Sequence, residues 1–266
     1  MPKETITYEL LLELTGTTEI EKTIEVNFDF EKFVAQDASQ YSTLTFISNG
    51  DGTAQVKANS SNKPTGDLVI PKKVSIDGVI HSVTSIGSYA FRNCSSLTSI
   101  EIPSSVTSIG ERAFYGCSSL TSISFGNNSQ LTSIDNFAFS GCSSLTSIEI
   151  PSSVTSIDNF AFYGCSGLTS IEIPSSVTSI GSSAFYGCSG LTSIKIPSSV
   201  TSIGSNAFGG CSGLKYIHLL GDLDGPCSLT GTWQYSATEL TTPTFSTTTS
   251  SMQSAGWYYQ ESAWNA

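Results

Sequence analysis

Seven cysteines carry the most versatile side-chain chemistry in this chain. Thiols form disulfides, bind zinc and act as nucleophiles. A zinc site is disfavoured because the chain has no C-x-x-C pair and only two histidines. Six of the cysteines recur at intervals of 23 or 25 residues, namely Cys94, Cys117, Cys142, Cys165, Cys188 and Cys211.

This regular interval predicts that the six cysteines occupy equivalent sites on successive turns of a repeating fold. Neighbouring thiols would then lie about one strand spacing apart, roughly 5 Å, which is close enough for a disulfide. A role as small buried apolar side chains explains the six equivalent sites without any pairing. We therefore expect these thiols to be buried and reduced, with Cys227, outside the series, as the candidate free thiol.

A nucleophilic site is the second chemistry to weigh, because His218, Asp222, Asp224 and Cys227 fall close together. Cysteine with histidine and an acid can perform nucleophilic catalysis. The same residues also fit a last strand followed by acidic turns, and we favour that interpretation. The sequence contains neither a serine elbow nor a phosphate-binding loop. We predict no catalytic residues, no cofactor and no metal.

The middle of the chain repeats itself. Six near-copies of one segment begin at Val83, Val106, Leu131, Val154, Val177 and Val200, spaced by 23 residues except for one copy of 25. The copy from Val177 reads VTSIGSSAFYGCSGLTSIKIPSS. A fixed period of this length is the signature of a solenoid, in which neighbouring copies stack to bury a continuous core.

Each copy predicts two short strands joined by turns. Leu-Thr-Ser-Ile-x-Ile places Leu and both Ile on one side, and Val-Thr-Ser-Ile is a second extended piece. Gly110, Gly181 and Gly204 are expected to open a turn with positive φ, where Asp135 and Asp158 are tolerated replacements. Ala-Phe-x-Gly-Cys is expected to form one turn of α- or 3₁₀-helix that inserts phenylalanine into the core. Proline follows the first strand in four copies and ends its pairing.

This pattern, C-x-x-L-x-x-I-x-I-P-x-x-V-x-x-I-G-x-x-A-F-x-x, resembles the leucine-rich repeats of the BspA-like type from Val83 to Leu219, about half of the chain. The resemblance implies a leucine-rich-repeat solenoid of short strands and short helical or 3₁₀ turns, mainly β and loop. It also implies a function, since the family is associated with bacterial and protist surface proteins that attach to host or matrix molecules. It brings no catalytic residues with it.

Positions that differ between copies are the candidates for specific binding. In leucine-rich repeats the first strand lines the concave face, where ligands often bind, so the resemblance points to its outward side chains. The alternative is a solvated, charge-balanced surface in which Lys195 offsets Glu172. The candidate ligand-binding residues are Ser99, Glu101, Ser122, Glu149, Glu172, Lys195, Tyr216 and His218.

Charge and composition exclude some partners. The net charge is −11 and the pI is near 4.5, so the chain lacks the cations that nucleic acid or an anionic membrane attracts. Ser and Thr are abundant, which fits a solubilising coat and equally a surface for sugars or extended proteins. No stretch is long enough to span a membrane. The apolar run Leu10–Leu12 is bracketed by Glu9 and Glu13, so no signal peptide is expected in the given chain.

The ends of the chain differ from the repeats. Residues 1–36 predict a β-hairpin attachment module, because apolar and polar residues alternate on both sides of a Gly-Thr-Thr turn. An exposed apolar face on such a hairpin would be an aggregation hazard, so we expect another subunit or a second copy to cover it. The assembly residues on that face are Leu10, Leu12, Phe28 and Phe30.

Three further segments complete the predicted organisation. Residues 37–82 form a β-hairpin N-cap with an Asn-Gly-Asp-Gly tip, and residues 83–222 form the six repeats. Residues 223–266 form a C-terminal module that is either a cap or an aromatic docking patch. That module contains all three tryptophans, Trp233, Trp257 and Trp264.

Two functions are compatible with this organisation. The first is a non-catalytic recognition or adhesion protein, extracellular or at a cell surface, that binds a protein or glycan ligand through the repeats. The second is a structural fibre or decoration protein of a virus particle infecting gut bacteria, attached through its N-terminal β module. The repeats favour the first, and the predicted N-terminal module together with the missing signal peptide favours the second.

Overall fold

The computed structural model describes residues 35–214, 216–220 and 228–229. Within them the chain winds through stacked coils, one for each sequence copy. Each coil contributes one strand to a front surface and one strand to a back sheet. Strand burial alternates because the Leu and Ile positions of each strand point into the space between the two layers.

A hairpin and two further strands precede the coils, and a third strand, β5, runs into the first coil. β1 (Leu44–Ser48) and β2 (Thr53–Ala58) pair antiparallel, and Gly50 and Gly52 at the tip have positive φ as the turn sequence predicts. The remaining elements are a 3₁₀ turn (Ala38–Gln40), β3 (Gly66–Val69), β4 (Lys73–Ile76) and β5 (Val79–Ile86).

The two predicted strands of each copy are confirmed. The front strands are β6 (Leu97–Ile102), β8 (Ser122–Phe125), β10 (Ser147–Glu149), β12 (Ser170–Glu172), β14 (Ser193–Pro197) and β16 (Tyr216–Leu220). The back strands of the six copies are the end of β5, residues 83–86, and then β7 (Ser108–Ile109), β9 (Ser133–Ile134), β11 (Ser156–Ile157), β13 (Ser179–Ile180) and β15 (Ser202–Ile203). β17 (Ser228–Leu229) adds a further back strand after the sixth copy.

Neighbouring coils pair in parallel and in register. The back strands run in the order β5-β7-β9-β11-β13-β15-β17 and join β1, β2 and β4 in one ten-stranded sheet. The front strands instead form two sheets, β3-β6-β8 and β10-β12-β14-β16. The interruption between β8 and β10 follows the copy of 25 residues, whose two extra residues lie in the connection after β8.

Identical residues form buried columns along the solenoid, since equivalent positions of successive copies stack. The Ala, Phe, Cys and Leu positions of the described copies are buried almost completely. The phenylalanines stack face to face with ring centroids 5.1 to 5.5 Å apart, in the order Phe91, Phe114, Phe139, Phe162, Phe185 and Phe208. Each stacked pair adds about 0.5–1.5 kcal/mol beyond the burial of its area.

In each copy a long turn connects the back strand to the column cysteine. The glycine that begins this long turn has a different role from the one predicted. Gly110, Gly181 and Gly204 do not have positive φ, so that expectation is wrong. A Cβ at these positions would lie 2.7, 2.5 and 2.4 Å from a backbone nitrogen of the preceding copy. Glycine is therefore favoured here because adjacent coils approach closely.

Positive φ occurs instead at two later positions of the same turn. One is the residue before Ala, and the other is the glycine before Cys, for example Arg112 and Gly116. Backbone N–H groups of this segment donate alternately within the turn and to the next coil: Ala113 N bonds Gly110 O at 3.1 Å, and Phe114 N bonds Ala138 O at 2.8 Å. Consecutive turns thus replace the single helical turn that the sequence predicted.

The cysteine column makes contacts that sequence reasoning did not foresee. All six cysteines are buried, as predicted. From Cys117 onward each thiol also donates to the backbone oxygen of a phenylalanine in the preceding coil, with Sγ···O distances of 3.0 to 3.3 Å. The thiol therefore fills the core and also links two coils.

Hydroxyl groups link the coils as well. Each threonine of the back connection donates to the backbone oxygen of its equivalent one coil earlier, as in Thr155 Oγ1 to Thr132 O at 3.2 Å and Thr178 Oγ1 to Thr155 O at 3.3 Å. Serines before the Val position do the same, as in Ser176 Oγ to Val154 O at 2.6 Å. Much of the Ser and Thr content is thus structural, which a coat that only aids solubility does not explain.

Candidate ligand-binding surface

The front strands present two columns of outward side chains, and we call this surface the strand face. The hydroxyl column contains Ser99, Ser122, Ser147, Ser170 and Ser193, and the charged column contains Glu101, Ser124, Glu149, Glu172 and Lys195. The inward neighbours are buried isoleucines, which fix the direction of both columns. All members of the charged column are exposed, so they are available to a ligand.

Three candidates of the charged column lie on consecutive rungs of the four-stranded sheet. Glu149 is the register partner of Glu172, and Glu172 is the partner of Lys195. Adjacent strands lie about 4.8 Å apart, so two like charges stand side by side and a cation follows. The arrangement offers carboxylates to a cationic or hydroxyl-bearing group. Tyr216 and His218 continue the register, but their side chains are outside what the structure describes.

The remaining candidates lie on the three-stranded sheet, and there the structure adds a residue that sequence reasoning missed. Asp67 on β3 accepts hydrogen bonds from Ser99 Oγ at 2.6 Å and Thr98 Oγ1 at 3.0 Å. Both bonds lower the pKa of the Asp67 carboxyl, and the bond from Ser99 has the larger effect. The hydroxyl of Ser99 is thus already engaged by Asp67. The only signal for this contact in the sequence was an acid beside the apolar run Leu-Val-Ile.

The strand face is divided. Glu101 and Ser122 belong to the sheet that ends at β8, and Glu149 belongs to the sheet that begins at β10. No ladder joins these two strands, although they lie side by side. The structure brings Glu149, Glu172 and Lys195 together and separates them from the candidates nearer the cap.

A second polar depression lies along the back sheet, where sequence reasoning named no site. It has a volume of about 230 Å³ and is lined chiefly by Asp158, Asn159, Ser179, Ser182 and Ser202. Burial, more than the nearby Asp135 carboxylate, raises the pKa of the Asp158 carboxyl. The depression is open to solvent, and Asp158 is the one charged residue among those that line it.

Metal and thiol chemistry find little support in the described part of the chain. No group of three or more His, Cys, Asp or Glu residues there could hold a metal ion. Burial raises the pKa of the Cys117 and Cys165 thiols to about 12, which keeps them protonated and unreactive near neutral pH.

A search for membrane-spanning helices over residues 35–214, 216–220 and 228–229 finds none of sufficient length and hydrophobicity.

Several predicted sites lie outside the described residues. They include Asp222, Asp224 and Cys227 of the weighed nucleophilic site, the assembly residues Leu10, Leu12, Phe28 and Phe30, and the tryptophans Trp233, Trp257 and Trp264. The division of the chain into four segments also stays a prediction, because it depends on these ends.

Comparison with known proteins gives one family and several similar structures. The family model of the BspA type leucine rich repeat region matches residues 72–157 and 132–262, with six copies. No curated protein matches the chain.

Two solved structures share the fold. A leucine rich cell surface protein from Faecalibacterium prausnitzii A2-165 is 33% identical, with a TM-score of 0.53, over 68% of this chain and 54% of that one. The pneumococcal vaccine antigen PcpA is 26% identical, with a TM-score of 0.55, over 66% of this chain and 47% of that one. The chain therefore spans about half the length of these two proteins.

Proposed function

The chain belongs to the BspA-type leucine-rich repeat family, and from this premise we propose that it is a non-catalytic recognition protein that works at a cell surface. Its ligand is a protein or glycan, held by the strand face. The similar protein from Faecalibacterium prausnitzii is described as a cell surface protein, which supports this location.

One observation carries the proposal: on the strand face, exposed charge varies from coil to coil. The buried columns repeat the same residues in nearly every coil, because stacking demands identical shapes. The exposed charged column instead reads Glu, Ser, Glu, Glu, Lys. Stacking does not require this variation, and a specific ligand would.

The test is replacement of the three neighbouring charges by the residue that the chain itself has in the same column. Ser124 occupies this position in one coil, so Glu149→Ser, Glu172→Ser and Lys195→Ser together should preserve the fold. Exposed charge pairs contribute only about 0–1 kcal/mol each to stability. Binding to a glycan array and to a panel of immobilised extracellular-matrix proteins should fall at least about tenfold.

A matched control removes the same number of charges from the cap. Lys57, Lys72 and Asp77 are exposed there, and Lys57→Ser, Lys72→Ser and Asp77→Asn should leave binding unchanged. Circular dichroism and thermal melts confirm that both variants are folded. Binding that survives the strand-face substitutions would assign recognition to another part of the chain, and a wild-type chain that binds nothing on either panel would count against adhesion.

A further inference from the structure

A continuous row of aromatic and arginine side chains runs along the long turns, on a different side of the coils from the strand face. It uses two positions per coil, the residue before Ala-Phe and the residue after it. We call it the aromatic stripe, and its members are Tyr89, Arg92, Arg112, Tyr115, Phe137, Phe160, Tyr163 and Tyr186.

Ring and cation–π contacts join all members of the aromatic stripe into one network. Arg92 lies over the rings of Tyr89 and Tyr115 at 5.8 and 5.6 Å, and Arg112 lies over Tyr89 and Phe137 at 5.7 and 4.3 Å. Stacked or tilted rings continue the row, with centroid distances of 4.5 Å for Phe137–Phe160, 5.9 Å for Phe160–Tyr163 and 5.2 Å for Tyr163–Tyr186.

The stripe is unusually costly to keep on a surface. Tyr89 is 44% exposed and Tyr163 is 39% exposed. Tyr89, Arg112, Phe137 and Phe160 also adopt positive φ, a conformation that disfavours bulky residues by roughly 1–2 kcal/mol. Two coils have Ser183 and Asn206 at the same position, so the fold itself does not require an aromatic or arginine residue there.

Ring geometry determines which part of each aromatic side chain a partner can contact. Parallel rings with centroids 4.5 to 5.2 Å apart must be stacked, because rings side by side in one plane would overlap at that distance. Their faces are therefore covered by neighbouring rings, which leaves little room for a sugar to stack. The exposed edges carry the positive side of the ring quadrupole, and the guanidinium groups add to it.

The stripe also carries cations at its first end, on a molecule that is acidic as a whole. It contains both arginines of the chain, whose net charge is −11. Lys63, also exposed, lies at its first end and donates to the backbone oxygens of Arg92 and Asn93. Glu111 pairs with Arg112, which leaves a net positive charge on this part of the surface.

We propose that the aromatic stripe binds the strand face of a second copy of this chain. This rests on the proposed role of the strand face in binding, and a variant altered only in the stripe, which keeps its own strand face for glycan or matrix ligands, separates the two proposals. The strand face carries Glu149 and Glu172 on adjacent rungs, and the stripe carries Arg92 and Arg112 on adjacent coils. Glu149 and Glu172 are register partners about one strand spacing apart, roughly 4.8 Å, whereas Arg92 follows Ala-Phe and Arg112 precedes it. The match is therefore one of charge, with two carboxylates on one surface and two guanidinium groups on the other. The serine hydroxyls beside the carboxylates face the tyrosine edges.

This contact is head-to-tail, because one copy uses its stripe and the other its strand face, which leaves one strand face and one stripe per pair for further copies. The stripe crosses five coils but is narrow, and the largest exposed patch on a typical protein covers about 300–600 Å². A stable dimer buries about 800 Å² per partner. The association is therefore weak in dilute solution and becomes effective where copies are concentrated on a surface.

Complementation of two variants tests the proposal. Arg92→Ser with Arg112→Ser alters the stripe, using the residues that Ser140 and Ser183 supply at the same positions in other coils. Glu149→Ser with Glu172→Ser alters the strand face. Sedimentation velocity over a wide concentration range, at low salt, should show association of the wild-type chain and at least about tenfold weaker association of each variant alone.

An equimolar mixture of the two variants should restore association but stop at a dimer, because it contains one intact stripe and one intact strand face per pair. Tyr163→Ser should weaken association without changing charge. A wild-type chain that stays monomeric, a stripe variant that associates normally, or a mixture that fails to recover would each overturn the proposal. Circular dichroism shows that every variant is folded before the comparison is made.

Discussion

At the scale of single residues, each buried column of the core repeats one type of side chain. The phenylalanines stack on one another, and the cysteines donate to the backbone oxygens of those same phenylalanines. The backbone oxygen of Phe114, for example, accepts both the N–H of Cys117 and the thiol of Cys142. Cysteine is small enough to fit and still supplies a donor, which alanine at this position would not.

We predict that the six column cysteines are reduced thiols. Titration with a thiol reagent in denaturant, without reductant, should find at least six free thiols. The same reagent should react slowly with the native protein, because these thiols are buried. Recovery of three disulfides would contradict the prediction and would indicate an oxidising compartment.

Stability should fall at alkaline pH. Burial raises the pKa of Cys117 and Cys165 to about 12, whereas an unfolded thiol ionises near 8.5. The folded state thus keeps protons that the unfolded chain releases, so the stabilisation is complete below about pH 8.5 and is lost as pH rises toward 12. Urea unfolding at pH 8 and pH 10.5 measures the loss, and Cys117→Ala with Cys165→Ala should make the dependence on pH shallower.

Removing a buried stacked ring should cost more than removing a half-buried one. Phe139 lies between Phe114 and Phe162 and is fully buried, so Phe139→Ala should lower the free energy of unfolding by about 3–5 kcal/mol. Phe137→Ser is the control, since Ser183 occupies that position in another coil, and it should cost less than half as much. Equal losses for the two variants would show that the buried stack has no special weight.

At the scale of the element, one coil is the unit that the sequence specifies. Each coil pairs in register with its neighbours on both layers, through the front strands and the back strands. A single copy buries too little to fold alone, so its stability comes from the contacts with adjacent coils.

Deletion of one whole coil should therefore leave a folded protein. Removing residues 177–199 joins Ser176 to Val200 and restores the same sequence across the junction. The shortened chain should show β-rich circular dichroism and a cooperative melt at a modestly lower temperature. Removing residues 184–203 instead places three extra residues between Ile180 and Ala207, in a turn that has the same length in all six copies, and this variant should unfold or aggregate. Equal stability of the two deletions would show that register between coils is unimportant.

The sequence predicted the columns because equal spacing places equal residues at equivalent sites, whatever the details of the turn. It therefore located Phe139, Cys142 and both strands of each coil correctly. It did not reveal why Gly204 is glycine, since the close approach involves a neighbouring coil rather than the local turn. The hydrogen bonds of Ser99 to Asp67 escaped for the same reason, because they join residues 32 positions apart.

At the scale of the whole molecule, the coils have a defined first end. β1, β2, β4 and β5 cover it on the back layer, and β3 continues the front layer. The chain enters this cap beside β4, where Ser75 N donates to Gln36 O at 2.9 Å and Asp37 bridges to Ser75. Residues from 35 onward are thus part of the cap, so a deletion that removes only the preceding segment should end at residue 34.

Deletion of residues 1–34 should leave a folded solenoid, since the bond between Ser75 and Gln36 is retained. The sequence predicts that Leu10, Leu12, Phe28 and Phe30 form one apolar face on two strands of this segment, and such a face needs a cover. We expect the intact chain to associate more strongly than the deletion variant in light scattering at high concentration. Comparison with the Arg92→Ser, Arg112→Ser variant separates the two contacts, because only the deletion removes the apolar face. An intact chain that stays monomeric, with residues 1–34 protected from proteolysis by its own coils, would show that the segment is an internal cap and would remove the main support for attachment to a particle.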